Sequence, residues 1–525
     1  MQLKNKSQLS ITICLIFMLQ SGCTSPKTDN QSTEANKDRP NIVFILADDL
    51  GWNEVGFNNK NNNLTPNIDQ LRNEGVSLRQ FYVHAVCAPS RAALLTGRYP
   101  FRTWADWRSE DFGKPSYLKK LGLELSKNDD GEETRRIHGL APEERTIAEA
   151  LKEQGYFTSI SGKWGCGEWL PGHLPMGQGF MHQYGHYAWG IDYNNYTIPH
   201  NAPARYAVYD WHRNQEPLNE QGYSTDLIAN EVVRLLSNHK KEQGNKPFFH
   251  YVPFNAVHGP LEEIPRYTDT HEKRYAAIKC LDDAVGRIVA AIDQYGFGDN
   301  TLIVFTNDNG AIRDSMNAPY RGTKNTNFEG GVRVPCVVKW ENKIPAGSTN
   351  NELMHITDFY STLIKLGGAS LEQERKADGI DMTAVLFDGA KSERDEIVFE
   401  VSGSVRLPSI RKGDYKLIGD ELYNIVDDPS EQKNLANEKL ELVEELKKRV
   451  ASVGNERPPM PDVSLLMTPA LPWVYGQEEN AHAPDWVKKA ISKVRGTQPK
   501  EWKEGETPWP QAPKDGKIIY TGDGR

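Results

Sequence analysis

Asn41-Ile-Val-Phe-Ile-Leu-Ala47 is an unbroken apolar run that stops dead at Asp48-Asp49, and no other stretch narrows the choice of fold as far. A half-solvated strand alternates apolar with polar residues, so a run apolar at every position has to be covered on both faces, as in parallel sheets flanked by helices. Thr301-Leu-Ile-Val-Phe-Thr306 repeats the design and ends in Asn307-Asp308-Asn309-Gly310. Ligands collect beyond the carboxyl ends of strands in open parallel sheets, which lets two carboxylate-bearing ends converge on one site. Asp48, Asp49, Asp308 and Asn309 are hard oxygen donors, suited to Ca²⁺ or Mg²⁺ rather than zinc. An isolated Asp-Asp pair is most often a turn or a helix cap; two such strand ends, taken with the Cys87 stretch that lies between them in the chain, make a metal site the better reading.

At 525 residues the chain exceeds one ordinary core, and its net charge of −9 with a pI near 5.9 argues against nucleic acid as a partner. Any anionic ligand must be met by a local group of Arg, Lys and metal. Lys4 and Lys6, then the apolar stretch Ile11 to Leu19, read as a secretory signal too short to span a bilayer. Gln20-Ser-Gly-Cys23 looks like a lipobox that makes Cys23 the lipidated first residue of a periplasmic or cell-surface protein. Gln20 departs from that motif and leaves simple secretion as the alternative. The expected division is a signal at 1–22 and a polar tether at 23–39.

Ala85-Val-Cys87-Ala-Pro89-Ser-Arg91-Ala-Ala-Leu-Leu-Thr-Gly97 sets a cysteine at a helix start, with Pro89 in the first turn and Gly97 as the terminator. Residue 87 then lies at the positive end of a helix dipole, where an anion is stabilised. A buried inert thiol is the plain reading of so short a motif. The full stretch, however, resembles the signature of the type I sulfatases, alkaline-phosphatase-like enzymes in which this cysteine becomes Cα-formylglycine. Gly155 to Trp164 resembles the family's second signature and carries Lys163. Phe248-Phe-His-Tyr-Val252 leads to Asn255-Ala-Val-His258-Gly-Pro260, and Tyr320-Arg-Gly-Thr-Lys324 precedes Glu329-Gly-Gly-Val-Arg-Val-Pro335, both matching family elements.

The resemblance implies an α/β fold with a large, mostly parallel central sheet at 40–385. It further implies a smaller α+β subdomain with an antiparallel sheet at 386–455, carrying a charged helix near 437–452. Residues 456–525 form a Pro- and Trp-rich extension. It implies a metal held by Asp48, Asp49, Asp308 and Asn309 together with residue 87, and a hydrated aldehyde at 87 as nucleophile. Arg91 is expected to hold that nucleophile, Asp308 to act as its base, and Lys163 and Lys324 to grip sulfate oxygens. His258, with Lys324, is expected to protonate the leaving alcohol. A formylglycine-generating or anaerobic sulfatase-maturing enzyme is the implied partner, and a sulfated glycan the implied substrate. Cys166, Cys280 and Cys336 are left as packing residues, with no zinc or disulfide spacing among them.

Where the family reads Gly-Lys-Trp-His, this chain has Gly162-Lys163-Trp164-Gly165, so the histidine that normally takes a proton during sulfate release is missing. His84, His173, His182 and His186 are candidate substitutes; water or Lys163 is the alternative. Between 166 and 216 aromatic residues and histidines crowd together, including Trp189, His200, Tyr184, Tyr187, Tyr193, Tyr196, Tyr209 and Trp211. They suit sugar faces, or else pack on one another; His200, Trp189 and, from an insertion at 104–138, Arg108 are the expected glycan contacts. Rival readings are a phosphonate or phosphodiester hydrolase of the same superfamily, and a glycan-binding surface lipoprotein that has lost turnover.

Overall fold

The computed structural model describes residues 39–103, 105, 139–167, 171–197, 209–267, 272–401, 406–457 and 484–495. The signal, the lipobox, Arg108, His200 and most of the C-terminal extension lie outside them. No helix among the described residues is long and apolar enough to cross a membrane.

The Asn41–Ala47 run forms β1, and all seven of its residues are buried. Its pleat sends Ile42, Phe44 and Leu46 to one side, against the helices Cys87–Thr96, Ile147–Glu153 and Ile356–Leu366. Val43, Ile45 and Ala47 point the other way, against Pro66–Asn73, Ser224–Glu242 and Lys273–Gln294. Both faces are covered, which is what a run without alternation requires. Each fully buried Val, Ile, Leu or Phe here contributes about 1.5–3 kcal/mol of burial.

The strands β2 (Val76–Tyr82), β3 (Phe157–Lys163), β4 (His182–His186), β5 (His212–Arg213), β6 (Glu216–Pro217), β7 (Phe248–Pro253), β8 (Thr301–Asn307), β9 (Cys336–Lys339) and β10 (Ser348–His355) complete the sheet. Their order is β10-β2-β9-β8-β1-β7-β3-β4-β5-β6. β8, β1, β7, β3 and β4 run parallel, and β9 is antiparallel to both of its neighbours. In β1 and β8, Ala47 pairs with Asn307, so Asp48 and Asp308 emerge at the same level. This is the mostly parallel α/β core expected from the sequence.

A second, antiparallel sheet holds β11 (Glu396–Glu400), β12 (Ser409–Lys412), β13 (Tyr415–Ile418) and β14 (Glu421–Asn424). The helix expected near 437–452 runs from Leu440 to Gly454 and buries Val443, Leu446, Val450 and Val453 beside Ile410 and Leu417 of this sheet. From β11, Ile397 and Phe399 join Tyr82, Ala85, Val332 and Leu353 in one apolar cluster, so the small sheet packs directly beside the route from β2 to Cys87.

The aromatic crowd packs mainly on itself. Tyr184, Tyr187, Tyr193, Tyr196, Tyr209 and Trp211 are all buried, with Tyr196 stacked on Trp211 at 4.7 Å and Tyr193 on Tyr223 at 4.6 Å. These rings are core, because burying them yields more than presenting them to water. Cys166, Cys280 and Cys336 are buried free cysteines, and burial pushes the Cys166 and Cys280 thiols up to about 12.

Candidate active site

Five chain segments leave the same edge of the sheet and meet there. Val86 has extended backbone and Cys87 opens the helix, which closes at Gly97 in the left-handed region (φ 68°), its N–H donating to the Ala93 carbonyl. Ser90 fixes the approach: its hydroxyl accepts from the His84 N–H at 2.9 Å and donates to the His84 carbonyl at 3.1 Å. Cys87 is thereby held nearly buried, with Arg91 one turn further on the same helix face.

Arg91 is the hub. Its Nη2 lies 2.7 Å from Asp308 Oδ2 and 3.3 Å from Asp48 Oδ2, and its Nη1 donates to the Lys163 carbonyl at 2.8 Å. Lys163 Nζ lies 2.5 Å from Asp48 Oδ2, and Lys324 Nζ 2.7 Å from Asp49 Oδ1. Asn309 Nδ2 also donates to Asp49 Oδ1 at 2.7 Å. His258 Nε2 stands 3.9 Å from Asp49 Oδ2, while its Nδ1 is 2.6 Å from the Gly259 carbonyl. A carbonyl only accepts, so Nδ1 carries the proton and Nε2 faces the carboxylate side bare. Trp189 packs edge-on against the His258 ring at 5.9 Å. Asp48, Asp49, Cys87, Arg91, Lys163, His258, Asp308, Asn309 and Lys324 thus form one cluster.

Burial alone would raise the Asp48 carboxyl, but Lys163, His258, Arg91 and Lys324 together hold it well below the usual range. Asp308 goes the other way, up to about 7, through burial and the neighbouring Asp48 charge, against the pull of Arg91. Burial and then Lys324 push His258 down to about 4. Lys324 rises despite burial, through Asp49, Cys87, Asp48 and Asp308.

The carboxylate cluster fits a hard divalent cation. Asp48 Oδ1, Asp308 Oδ1 and Asn309 Oδ1 are buried without a hydrogen-bond partner, a costly state for oxygens unless something positive completes them. One ligand atom from each of Asp48, Asp49 and His258 lies within 4.8 Å of the others.

Two supporting residues escaped the sequence reading. Arg274 donates to the Asp49 carbonyl at 2.6 Å and pairs with both oxygens of Glu54 at 2.6 Å, while Glu54 Oε2 accepts from the Gly51 N–H at 2.7 Å. This buried pair braces the turn that holds Asp49 at φ 62°, a left-handed conformation that costs a non-glycine residue energy. Arg274 is the second residue of its helix, 225 residues beyond Asp49, and no motif links the two.

Gly165 occupies the left-handed region at φ +71°, and a Cβ there would lie 3.3 Å from Arg91 Cδ and 3.5 Å from Lys163 Cε, aimed into the cluster. Of the four histidines that could substitute, three sit elsewhere. His84 packs on Tyr99 and His355, with Nδ1 3.3 Å from the Phe399 carbonyl; His182 pairs with Glu231 at 2.7 Å; His173 packs over Gly139. His186 pairs with Lys163 across β3 and β4, so both side chains leave the same face of the sheet. Its imidazole is fully buried, neither ring nitrogen has a hydrogen-bond partner, and Asp210, Lys163, Arg91 and Asp48 all act on it electrostatically. Burial pushes it down to about 3, so the ring is neutral.

Known proteins resemble this chain over most of its length. The sulfatase family model matches residues 40–369, and the N-sulphoglucosamine sulphohydrolase C-terminal model matches 323–456. Arylsulfatase J of Mus musculus is 31% identical over 378 residues, which is 70% of this chain and 59% of that protein. N-acetylgalactosamine-6-sulfatase of Canis lupus familiaris is 30% identical over 397 residues, 72% of this chain and 71% of that protein. The crystal structure of Ps i-CgsB in complex with k-i-k-neocarrahexaose aligns with a TM-score of 0.65 at 28% identity, covering 79% of this chain and 93% of that one.

Proposed function

Given that the chain belongs to the sulfatase family, with its alkaline-phosphatase-like fold, we propose that it is an exported enzyme that hydrolyses sulfate esters of a glycan at the Cys87 cluster. The observation that carries this reading is a buried cysteine at a helix start, set among Asp48, Asp49, Asp308 and Asn309 and beside three cations, Arg91, Lys163 and Lys324. Two of the compared proteins bear carbohydrate in their names, a galactosamine sulfatase and a complex with a carrageenan-type hexasaccharide, and both point to a sugar as the alcohol.

Cys87 is assigned as the residue that a maturation enzyme converts to formylglycine. Asp48, Asp49, Asp308 and Asn309 are assigned as holders of a divalent metal, proposed as Ca²⁺. That metal, when bound, supplies charge neutralisation for a sulfate oxygen and for residue 87. Lys163 and Lys324 hold the remaining sulfate oxygens in a preorganised clamp, and Arg91 orients residue 87. Asp308, held by Arg91 through Oδ2, is assigned as the base that takes the proton of the attacking group. Bound sulfate favours the charged imidazole of His258, whose Nε2 then carries a proton toward the leaving sugar oxygen. Trp189 beside it offers a ring face to that sugar.

The test is sulfate release from a panel of sulfated glycans, beside the matching phosphate monoesters and diesters, by protein co-expressed with a formylglycine-generating enzyme. Sulfate release with little phosphate release is expected. Preferential phosphoester turnover by fully converted protein would reverse the assignment.

We assign His186 as the proton acceptor that stands in for a histidine at 165. In a His186→Ala variant the alcohol should still appear as a burst equal to the enzyme, while steady turnover falls about 10²–10⁴-fold. Equal slowing of the burst and of steady turnover refutes that assignment. Metal binding is read separately: Ca²⁺ at about 100 times its Kd should add about 2.7 kcal/mol to folding stability. Asp48→Asn should abolish that increment, and an increment that survives places the ion elsewhere.

A further inference from the structure

The loop that brings Lys324 to Asp49 is anchored to the C-terminal sheet at every few residues. Arg321 donates from Nη1 to the Glu431 carbonyl at 2.8 Å, and Asn327 Nδ2 reaches Ser409 Oγ at 2.9 Å and the Leu407 carbonyl at 3.2 Å. The Glu329 N–H donates to Glu431 Oε2 at 2.7 Å. Between the two glutamates lies Lys416 of β13, its Nζ 2.9 Å from Glu329 Oε1 and 3.1 Å from Glu431 Oε1, with all three side chains wholly buried. Glu329 Oε2 is held as well, accepting from Tyr82 Oη at 2.6 Å and Arg333 Nη1 at 3.1 Å, and Arg411 donates to that same tyrosine oxygen at 2.6 Å.

Two carboxylates and one ammonium at zero exposure are expensive to desolvate, and apolar packing would stabilise the same junction as well or better. What such a network supplies is geometry, because three of the four carboxylate oxygens accept a hydrogen bond and the fourth, Glu431 Oε1, faces the Lys416 ammonium at 3.1 Å. Three parts of the molecule meet on it: the end of β2 at Tyr82, five residues before Cys87; the loop carrying Lys324; and β13 of the small sheet. The C-terminal family model matches residues 323–456, a span that holds both Lys324 and the small sheet.

We propose that Lys416 is a positioning residue for the sulfate site: through Glu329 and Glu431 it locks the Lys324 loop to the C-terminal sheet and so sets where the Lys324 ammonium stands. The proposal rests on the reading that Lys324 grips sulfate, and its test separates the two. Lys416→Met alone strands two buried carboxylates and risks unfolding, so it is paired with Glu431→Gln, which restores the charge balance.

Two quantities are read on the folded Lys416→Met/Glu431→Gln protein. One is backbone hydrogen exchange at Lys324 and Asn325, whose N–H groups donate to the Ala311 and Ala85 carbonyls at 2.9 and 2.8 Å. The other is affinity for inorganic sulfate. Exchange at these two amides should rise at least tenfold while β1 and β8 stay protected. Sulfate affinity should fall about as far as in Lys324→Ala, with no further loss when the two changes are combined. Unchanged exchange at 324 and 325 overturns the positioning role, as does a loss of sulfate affinity that adds to that of Lys324→Ala. Faster exchange together with a Lys324→Ala variant that binds sulfate normally keeps the lock and refutes the sulfate reading instead.

Discussion

Replacing Cys87 by alanine should abolish sulfate release, cutting turnover by at least about 10⁴-fold while leaving the fold intact, as removing a nucleophile does in other covalent hydrolases. The residue is 3% exposed at the first position of its helix, and alanine removes only its Sγ while being a better helix former. Only one atom's volume is lost and no charge is stranded, so unfolding free energies should agree within about 1 kcal/mol. Sulfate release and peptide mass at position 87 are measured together, because unconverted wild-type protein would mimic the variant. Residual turnover above a hundredth of wild type in the alanine variant would mean that residue 87 is not the nucleophile.

Arg91→Met is expected to have the largest effect on folding. The guanidinium is completely buried and serves three partners at once: Asp308, Asp48 and the Lys163 carbonyl. Its removal leaves Asp308 without its closest cation in a dry site, which costs about 3–5 kcal/mol. Arg91→Lys should recover little, since one ammonium cannot reproduce a planar fork with three directed contacts. The measurement is denaturant unfolding in the presence of a chelator, so that no metal compensates the carboxylates. Adding Asp308→Asn to Arg91→Met removes the stranded charge and should return part of the loss. Unfolding of Arg91→Met at the wild-type denaturant concentration would show that the ion pairs carry no net stability.

Much of this site could be read along the chain because its chemistry is local. Asp48, Asp49, Asp308 and Asn309 each follow an apolar run directly, and a run buried on both faces can hardly be anything but an interior strand with a polar end. Lys163, His258 and Lys324 came from motif resemblance, and they fall in the same cluster as the acids. Trp189 reaches His258, but the rings around it went to the core, since alternation of aromatic with polar residues does not say which side of a loop faces water. Which of the four histidines stands beside Lys163 could not be read along the chain, because it depends on β4 pairing with β3.

Local pattern therefore determined the sheet core, the helix that starts at Cys87, and the acids at the strand ends, because burial on both faces and helix capping are set by residues a few positions apart. Tertiary structure alone decided the remainder: Arg274 with Glu54 behind Asp49, His186 behind Lys163, and Lys416 between Glu329 and Glu431. These partners are distant along the chain and meet only through strand order and register. That order is settled by packing of the whole sheet, and no short stretch of sequence carries it.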